Sequence, residues 1–218
     1  MVKNGTRVVT SVFGVLAGLA GLEHGIGEIL QGAVRPTGVL ILSWPGSRLF
    51  AILGGEPAMT LVPNLLVSGL LTVLVSLGCA LWALGFLHRR HGALVLFGLS
   101  AVLLLVGGGF GPPLLGLTVG LAAARIRSPH TWATRRPRLG RLLQVAWPWV
   151  FAGGLAAWLL LLPGIPLLAY GLGVQSATLV AVVILSALSL LALSIFCGFA
   201  RDARAGTAAV ARTASRHS

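Results

Sequence analysis

Long stretches of apolar residues alternate with short polar and basic clusters along this chain. Six apolar runs can be marked, over residues 8–30, 62–87, 92–110, 113–126, 145–162 and 176–199. A helix needs about 20 apolar residues to cross the hydrocarbon core of a bilayer, so most of these runs have the length of a transmembrane helix. The pattern therefore predicts an all-α integral membrane protein, a helical bundle with six transmembrane helices.

The first run also has features of a secretory signal peptide. Lys3 and Arg7 precede it, and Gly18-Leu19-Ala20 matches a small-x-small cleavage site. The apolar run continues past that site to Leu30, which makes it long enough to span a bilayer. We therefore interpret residues 8–30 as the first span.

The third and fourth runs are separated by the sequence GGGFGPP, residues 107–113. Proline removes a helix hydrogen-bond donor and glycine frees the backbone, so this sequence predicts a break. Basic residues flank both ends of segment 92–126, which should therefore enter and leave on the same side of the membrane. The third and fourth spans are predicted to form a hairpin, or a re-entrant pair, broken at Gly107–Pro113.

The composition agrees with a lipid environment. The chain is 56% apolar and 9% charged, whereas a soluble domain carries about 25% charged residues. The net charge of +12 comes from basic residues clustered at the ends of apolar runs, where they determine topology. We therefore expect no nucleic-acid partner.

The basic residues also predict the orientation of the chain. With six crossings, 14 of the 16 Lys and Arg residues lie on one side, and only Arg35 and Arg48 lie on the other. The 14 are Lys3, Arg7, Arg89, Arg90, Arg125, Arg127, Arg135, Arg136, Arg138, Arg141, Arg201, Arg204, Arg212 and Arg216. The positive-inside rule makes that side cytoplasmic, with both termini there and the chain in the cell membrane. The expected partners are the bilayer and the anionic lipid headgroups that meet the Arg-rich loops and tail.

The sequence predicts one membrane domain and one tail. Residues 1–200 form the transmembrane domain, and residues 201–218 read as a flexible basic cytoplasmic tail. The apolar parts of the outer segment, residues 31–60, are too short to span the bilayer. This segment is therefore expected to lie in the membrane interface or to fold back over the bundle. Cys79 and Cys197 fall inside apolar runs and have no metal-finger spacing.

The first span carries a stripe of small residues that includes an acid. Six positions lie within about 40° of one line on a helical wheel, namely Gly14, Gly18, Gly21, Gly25, Glu28 and Gly32. A glycine stripe lets a neighbouring helix approach closely, so Glu28 is predicted to face protein. His24 lies beside Glu28 on the wheel, four residues earlier, and Glu23 lies on the opposite side.

A candidate binding site follows from these polar positions. A carboxylate inside the hydrocarbon costs about 2.5–3.5 kcal/mol, so it is expected to have a partner. The candidate ligand-binding residues are His24, Glu28, Glu56 and Asn64, with Arg35 or Arg48 as counter-charges. The structural alternatives are that His24 and Glu28 form hydrogen bonds to another helix, or pair with Arg35 or Arg48, and so fix the packing of the bundle, and that Asn64 caps a helix. If the site holds a metal, His24, Glu28 and Glu56 are the candidate ligands, although HExxH is absent.

Three functions remain open at this stage. The first is binding or transport of a small solute, lipid or ion at this outer-leaflet site. The second is a non-catalytic subunit, for which a second copy of the chain or another membrane protein is the partner. The third is a membrane-embedded metal-dependent enzyme; the serine-nucleophile motif G-x-S-x-G is absent. No cofactor is implied.

Two motifs carry a resemblance. GLEHGIGEILQG and LLVGGGFGPPLLG, with GEPAMT and VPNLLV between them, fall within residues 10–125. In these motifs the chain resembles a group of uncharacterised small prokaryotic polytopic membrane proteins. The resemblance implies a helical membrane protein and brings no known activity, so no catalytic role is transferred.

Overall fold

The computed structural model describes residues 4–126 and 131–214, with side chains over 4–126 and 133–207. Three of the basic residues used to predict the orientation, Lys3, Arg127 and Arg216, lie outside the described residues, and Arg212 is described by its backbone alone. Helices make up most of the described chain, together with one short two-stranded sheet that the all-α prediction missed.

Six helices of the described chain follow the predicted apolar runs, and two short helices, over residues 131–135 and 165–172, lie between runs. They are α1 Gly5–Gln31, α2 Leu65–Gly85, α3 Gly92–Leu105, α4 Gly111–Ala123, α5 Thr131–Arg135, α6 Pro137–Leu159, α7 Ile165–Leu172 and α8 Ala177–Ala214. The strands are β1 Leu40–Leu42 and β2 Pro57–Met59, a 3-10 turn covers Ala51–Leu53, and a π-helical turn covers Leu160–Gly164.

Four helical segments of the described chain are long and apolar enough to cross a membrane. They are Gly5–Gln31, Leu65–Gly85, Pro137–Leu172 and Ala177–Thr207, and two shorter apolar helices, α3 and α4, accompany them. Large apolar side chains such as Leu74, Leu94 and Leu185 remain about two-thirds exposed on the bundle surface. An apolar exterior of this kind suits lipid as the surrounding solvent, as expected of a helical membrane protein.

The glycine stripe of α1 packs against α2, as the wheel predicted. A Cβ at Gly18 would lie 2.6 Å from the carbonyl of Ser76, and one at Gly25 would lie 2.9 Å from the carbonyl of Gly69. Because residue numbers rise on one helix as they fall on the other, the two helices are antiparallel. Gly32 differs from the prediction: it caps the end of α1 with a φ of +81°, and a Cβ added there would have no neighbour within 4 Å.

The α3–α4 pair forms the predicted hairpin. A Cβ at Gly116 would meet Ser100, and one at Gly120 would meet Phe97, so these helices are also antiparallel. α3 ends at Leu105 and α4 begins at Gly111, with proline in its first turn. The break over residues 106–110 therefore coincides with the GGGFGPP sequence.

The outer segment folds back over the end of the bundle. β1 and β2 pair antiparallel, with Ile41 opposite Ala58. An isolated bridge between Thr60 and Val106 ties the segment to the tip of the α3–α4 hairpin. The segment therefore covers the C-terminal end of α1, one of the two placements that the sequence left open.

The C-terminal part of the chain is more helical than predicted. Residues 163–175 separate the last two predicted runs, and there α6 continues through the π-helical turn, which contains Pro163, into α7. Residues 201–214, predicted as a flexible tail, continue α8, because alanine and arginine are strong helix formers. Within this part, Asp202 accepts hydrogen bonds from the Gly5 and Thr6 N–H groups and caps α1.

Candidate functional site

His24 is the buried centre of a polar cluster towards the C-terminal end of α1. Its side chain is only 4% exposed, and its Nδ1 lies 2.9 Å from the Ser43 hydroxyl oxygen. The Ser43 N–H in turn donates to the carbonyl of Glu56 at 3.0 Å. When Nδ1 donates its hydrogen to Ser43, Nε2 carries a free lone pair, the arrangement typical of a metal-ligating histidine.

Glu56 reaches His24 because of a tight turn before β2. Gly54, Gly55 and Glu56 all have positive φ angles, of +67°, +80° and +56°. A left-handed backbone at a non-glycine residue costs about 1–2 kcal/mol, and such residues cluster at functional sites. The turn brings a Glu56 carboxylate oxygen to 3.7 Å from His24 Nε2. Burial raises the pKa of Glu56 to about 7.

Glu23 completes the cluster at the same Nε2 edge of His24. Its carboxylate lies 3.9 Å from His24 Nε2, and the Trp44 indole lies beside it. Neither Trp44 Nε1 nor Glu23 Oε1 has a hydrogen-bond partner of good geometry within the described residues. Ligand atoms from Glu23, His24 and Glu56 all lie within 4.8 Å of one another.

These separations fit a metal ion better than direct hydrogen bonds. Distances of 3.7 and 3.9 Å exceed the usual limit of about 3.2 Å for an N–H···O bond. In a tetrahedral site with bonds of about 2.1 Å, by contrast, two ligand atoms lie about 3.4 Å apart. Because the three ligand atoms are spread over as much as 4.8 Å, the two carboxylates would have to move closer together to share one ion.

The charge of the cluster points the same way. Over residues 4–126 and 133–207, no lysine or arginine forms an ion pair with Glu23 or Glu56. With His24 neutral, the two carboxylates carry two negative charges once both have lost their protons. Both side chains are partly exposed, at 33% and 17%, and a divalent cation would balance their charge.

A cavity opens beside the two glutamates. Its volume is about 390 Å³, and Glu23 and Glu56 line one end. The remaining walls are apolar and come from α1, the outer segment and the α6–α7 turn, including Leu16, Leu19, Phe50, Leu159 and Leu167. A cavity of this size can hold a small ligand, with its polar group at the glutamates and its apolar part along these walls.

The candidate residues from the sequence divide into two groups. His24 and Glu56 lie close together, as the metal hypothesis predicted. The third candidate ligand, however, is Glu23, whereas the hypothesis named Glu28. Glu28 is buried in the bundle, against Gly107 at the hairpin tip. The helical wheel separated Glu23 from Glu28 correctly, but the cluster forms around Glu23 because the outer segment approaches that side of α1.

The other three candidates lie outside the cluster. Asn64 caps α2, since its side-chain oxygen accepts a hydrogen bond from the Val67 N–H at 3.1 Å. Arg35 and Arg48 are not buried, and within the described residues neither forms an ion pair with a carboxylate. The described residues therefore place neither of the suggested counter-charges at the site. No family model, curated protein or solved structure matches this chain.

Proposed function

We propose that this protein is a multi-pass membrane protein that binds a divalent transition-metal cation at its outer end. Glu23, His24 and Glu56 are the ligands, and imidazole with carboxylates is a set that suits zinc. The observation that supports the proposal is a buried histidine, oriented by Ser43, whose free nitrogen faces two carboxylates that no lysine or arginine of the described residues neutralises. Ion binding at an outer-leaflet site is one of the functions that the sequence suggested.

The fourth coordination position belongs to a ligand in the cavity. Three protein ligands leave a tetrahedral ion with one open position, as in catalytic zinc sites. Since Glu23 and Glu56 line the cavity of about 390 Å³, that position faces its apolar walls. The ligand class that fits is a small amphiphile with one metal-binding polar group.

Zinc binding by the purified, untagged full chain in detergent tests the proposal. We expect one zinc ion per chain, measured by elemental analysis after dialysis. His24→Ala, Glu23→Gln and Glu56→Gln should each lower the affinity at least tenfold. Glu28→Gln is the matched control, because it changes a carboxylate of the same helix outside the cluster. No stoichiometric zinc in the wild type, or equal loss in the control, would overturn the proposal.

A metal-dependent enzyme is the second candidate, favoured by the open position beside the cavity. It would act on an amphiphile held against the apolar walls, with the metal polarising the polar group or activating a water molecule. Extracted membrane lipids incubated with zinc-loaded protein should then yield a product, detected by mass spectrometry. A product that forms equally with His24→Ala, or none with the wild type, would leave binding as the function.

We further propose six crossings with both termini in the cytoplasm. The proposal is supported by the placement of 14 of the 16 basic residues on one side. With 14 and 13 residues, α3 and α4 are about 20 Å long, so they cross a core of about 30 Å only if the bilayer thins around them. If α3 and α4 instead form a re-entrant hairpin, the chain still enters and leaves on the same side, so the orientation of every other segment is unchanged.

Cysteine labelling in cells tests this topology. Cys79 and Cys197 are buried, so a membrane-impermeant maleimide should report the added cysteine. We expect Arg48→Cys to react in intact cells and Arg90→Cys to react only after permeabilisation. Phe110→Cys, at the hairpin tip, should react in intact cells if α3 and α4 cross the membrane. The reverse pattern at positions 48 and 90 would refute the orientation.

We also propose an anionic lipid as a partner at the opposite end of the bundle. A groove of about 640 Å³ runs along α6, with Arg138, Arg141 and Arg204 at one end and Leu142, Val145 and Trp149 further along. Within the described residues no side chain caps the start of α6, and the N-terminus of a helix favours anions. A phosphate headgroup fits the arginines, and an acyl chain fits the apolar stripe.

A further inference from the structure

Glu28 is a buried acid outside the cluster just described. Its side chain is fully buried, and in the described part of the protein neither carboxylate oxygen has a hydrogen-bond partner. An ionised carboxylate without a partner is strongly disfavoured inside a protein, so such a group needs an explanation. The carboxylate packs against Gly107 at the tip of the α3–α4 hairpin.

Three hydroxyl groups near the hairpin tip have already used their hydrogens. Ser68 and Thr72 donate to the carbonyl of Val106, at 2.7 and 2.5 Å. Thr60 and Ser68 are 2.7 Å apart, and because Ser68 has only one hydrogen, Thr60 must donate to it. Every hydroxyl hydrogen in this group is therefore directed away from Glu28.

The consequence is a carboxylate that meets oxygen lone pairs. Ser68 lies within hydrogen-bonding range of Glu28, but because its one hydrogen is directed to the Val106 carbonyl, it offers the acid a lone pair. Thr72 lies one helical turn further along α2, is equally buried, and contacts the same carbonyl. Oxygen atoms without hydrogens repel one another unless a positively charged species lies between them.

We propose that Glu28, Ser68 and Thr72 form a binding site for an alkali cation of the size of Na⁺. Carboxylate and hydroxyl oxygens are hard ligands of the kind that such cations prefer. Both orphan oxygens of Glu28 can bind one cation, whereas a single proton would satisfy only one of them. The site also lies at the C-terminal end of α3, where the helix dipole favours a cation, and broken helices bind Na⁺ in this way in transporters.

The thermal stability of the full chain in detergent tests this site. The unfolding midpoint is measured while NaCl replaces choline chloride at constant ionic strength and neutral pH. We expect the midpoint to rise with Na⁺ and to saturate, because the folded state binds the ion. A wild-type midpoint that does not respond to Na⁺, or that rises only on acidification, would overturn the proposal in favour of a bound proton.

Two variants and one control make the test specific. Glu28→Gln places amide hydrogens against the hydroxyl lone pairs, so its midpoint should not depend on Na⁺. Thr72→Val keeps the shape of the side chain and should shift the half-saturating Na⁺ concentration upward at least tenfold. Glu23→Gln, which alters the His24 cluster, should keep the wild-type Na⁺ response. Equal Na⁺ responses in the wild type and in Glu28→Gln would overturn the assignment.

Discussion

His24 Nδ1 and the Ser43 hydroxyl oxygen lie 2.9 Å apart, and this contact turns Nε2 towards Glu23 and Glu56. His24 belongs to α1 and Ser43 to the outer segment, so a single hydrogen bond fixes the ring against the loop that carries Glu56. Metal-ligating histidines are commonly oriented in this way through their second nitrogen. The contact gives the outer segment a direct part in building the site.

Ser43→Ala should therefore weaken zinc binding without removing a ligand. Loss of a group that orients a metal-ligating histidine typically lowers metal affinity 10- to 100-fold. Isothermal titration of the purified variant with zinc measures the effect. Ser47→Ala is the matched control, since Ser47 lies in the same segment, whereas the residue that His24 Nδ1 contacts is Ser43. Equal affinities for the wild type and Ser43→Ala would contradict the orienting role.

Zinc affinity should rise with pH through neutrality. Burial raises the pKa of Glu56 to about 7, and a carboxyl group must lose its proton before it binds a metal. Affinity should therefore fall roughly tenfold for each pH unit below that pKa. Zinc titrations at several pH values measure this dependence of affinity on pH. The Glu56→Asp variant, which keeps a carboxylate, should show a pH dependence of the same shape. A profile that is flat across neutral pH would contradict the assignment of Glu56 as a ligand.

The same pKa predicts how the metal-free protein responds to pH. The folded-state pKa of Glu56 is about 7 and its ordinary value is 4.5, so the folded state holds the proton more tightly than the unfolded state. The stability that the folded state gains from holding this proton is complete at pH values below the ordinary pKa, and it is lost as pH rises towards 7. The Glu56→Gln variant has no carboxyl proton to lose, so its thermal stability should not show this decrease between pH values of about 4.5 and 7. An equally steep loss in the variant would assign it to other groups.

Gly109→Ala should disrupt the metal site from the hairpin side. Gly109 has a φ of +73°, and an added Cβ would overlap the His24 ring at Nε2. We expect zinc binding to disappear and the folded state to lose about 1–3 kcal/mol. Gly111→Ala is the control, because no atom lies within 4 Å of its added Cβ, and its effect should stay within about 0.5 kcal/mol. Zinc stoichiometry and unfolding midpoints distinguish the two variants.

Features that depend on helical periodicity could be predicted from the sequence. The spacing of Gly14, Gly18, Gly21 and Gly25 indicated the face of α1 that packs against α2, and the same wheel placed Glu28 in the protein interior. The glycines and prolines of residues 107–113 indicated the hairpin break. These features are local, because one helix or one turn determines each of them.

Features that depend on the outer segment could not be predicted. Glu56 reaches His24 through β1, β2 and three consecutive left-handed residues, and the hydrophobic pattern carries no signal for that arrangement. Glu23 joins the cluster because the segment approaches its side of α1, which a wheel of α1 alone cannot show. Asp202 caps α1 across 197 residues of sequence, a contact visible only once the bundle has formed.

The arginine end of the α6 groove should determine which lipids the protein retains. An arginine near anionic headgroups contributes about 1 kcal/mol, so the double variant Arg138→Gln/Arg141→Gln should bind phosphatidylglycerol at least tenfold more weakly. Arg204 is left unchanged because it donates to the Pro137 carbonyl at 3.2 Å and so supports the groove itself. Native mass spectrometry of protein from mixed phosphatidylcholine and phosphatidylglycerol nanodiscs measures retention. Arg89→Gln/Arg90→Gln removes the same charge away from the groove, so an equal loss in that control would show a general charge effect and contradict a specific site.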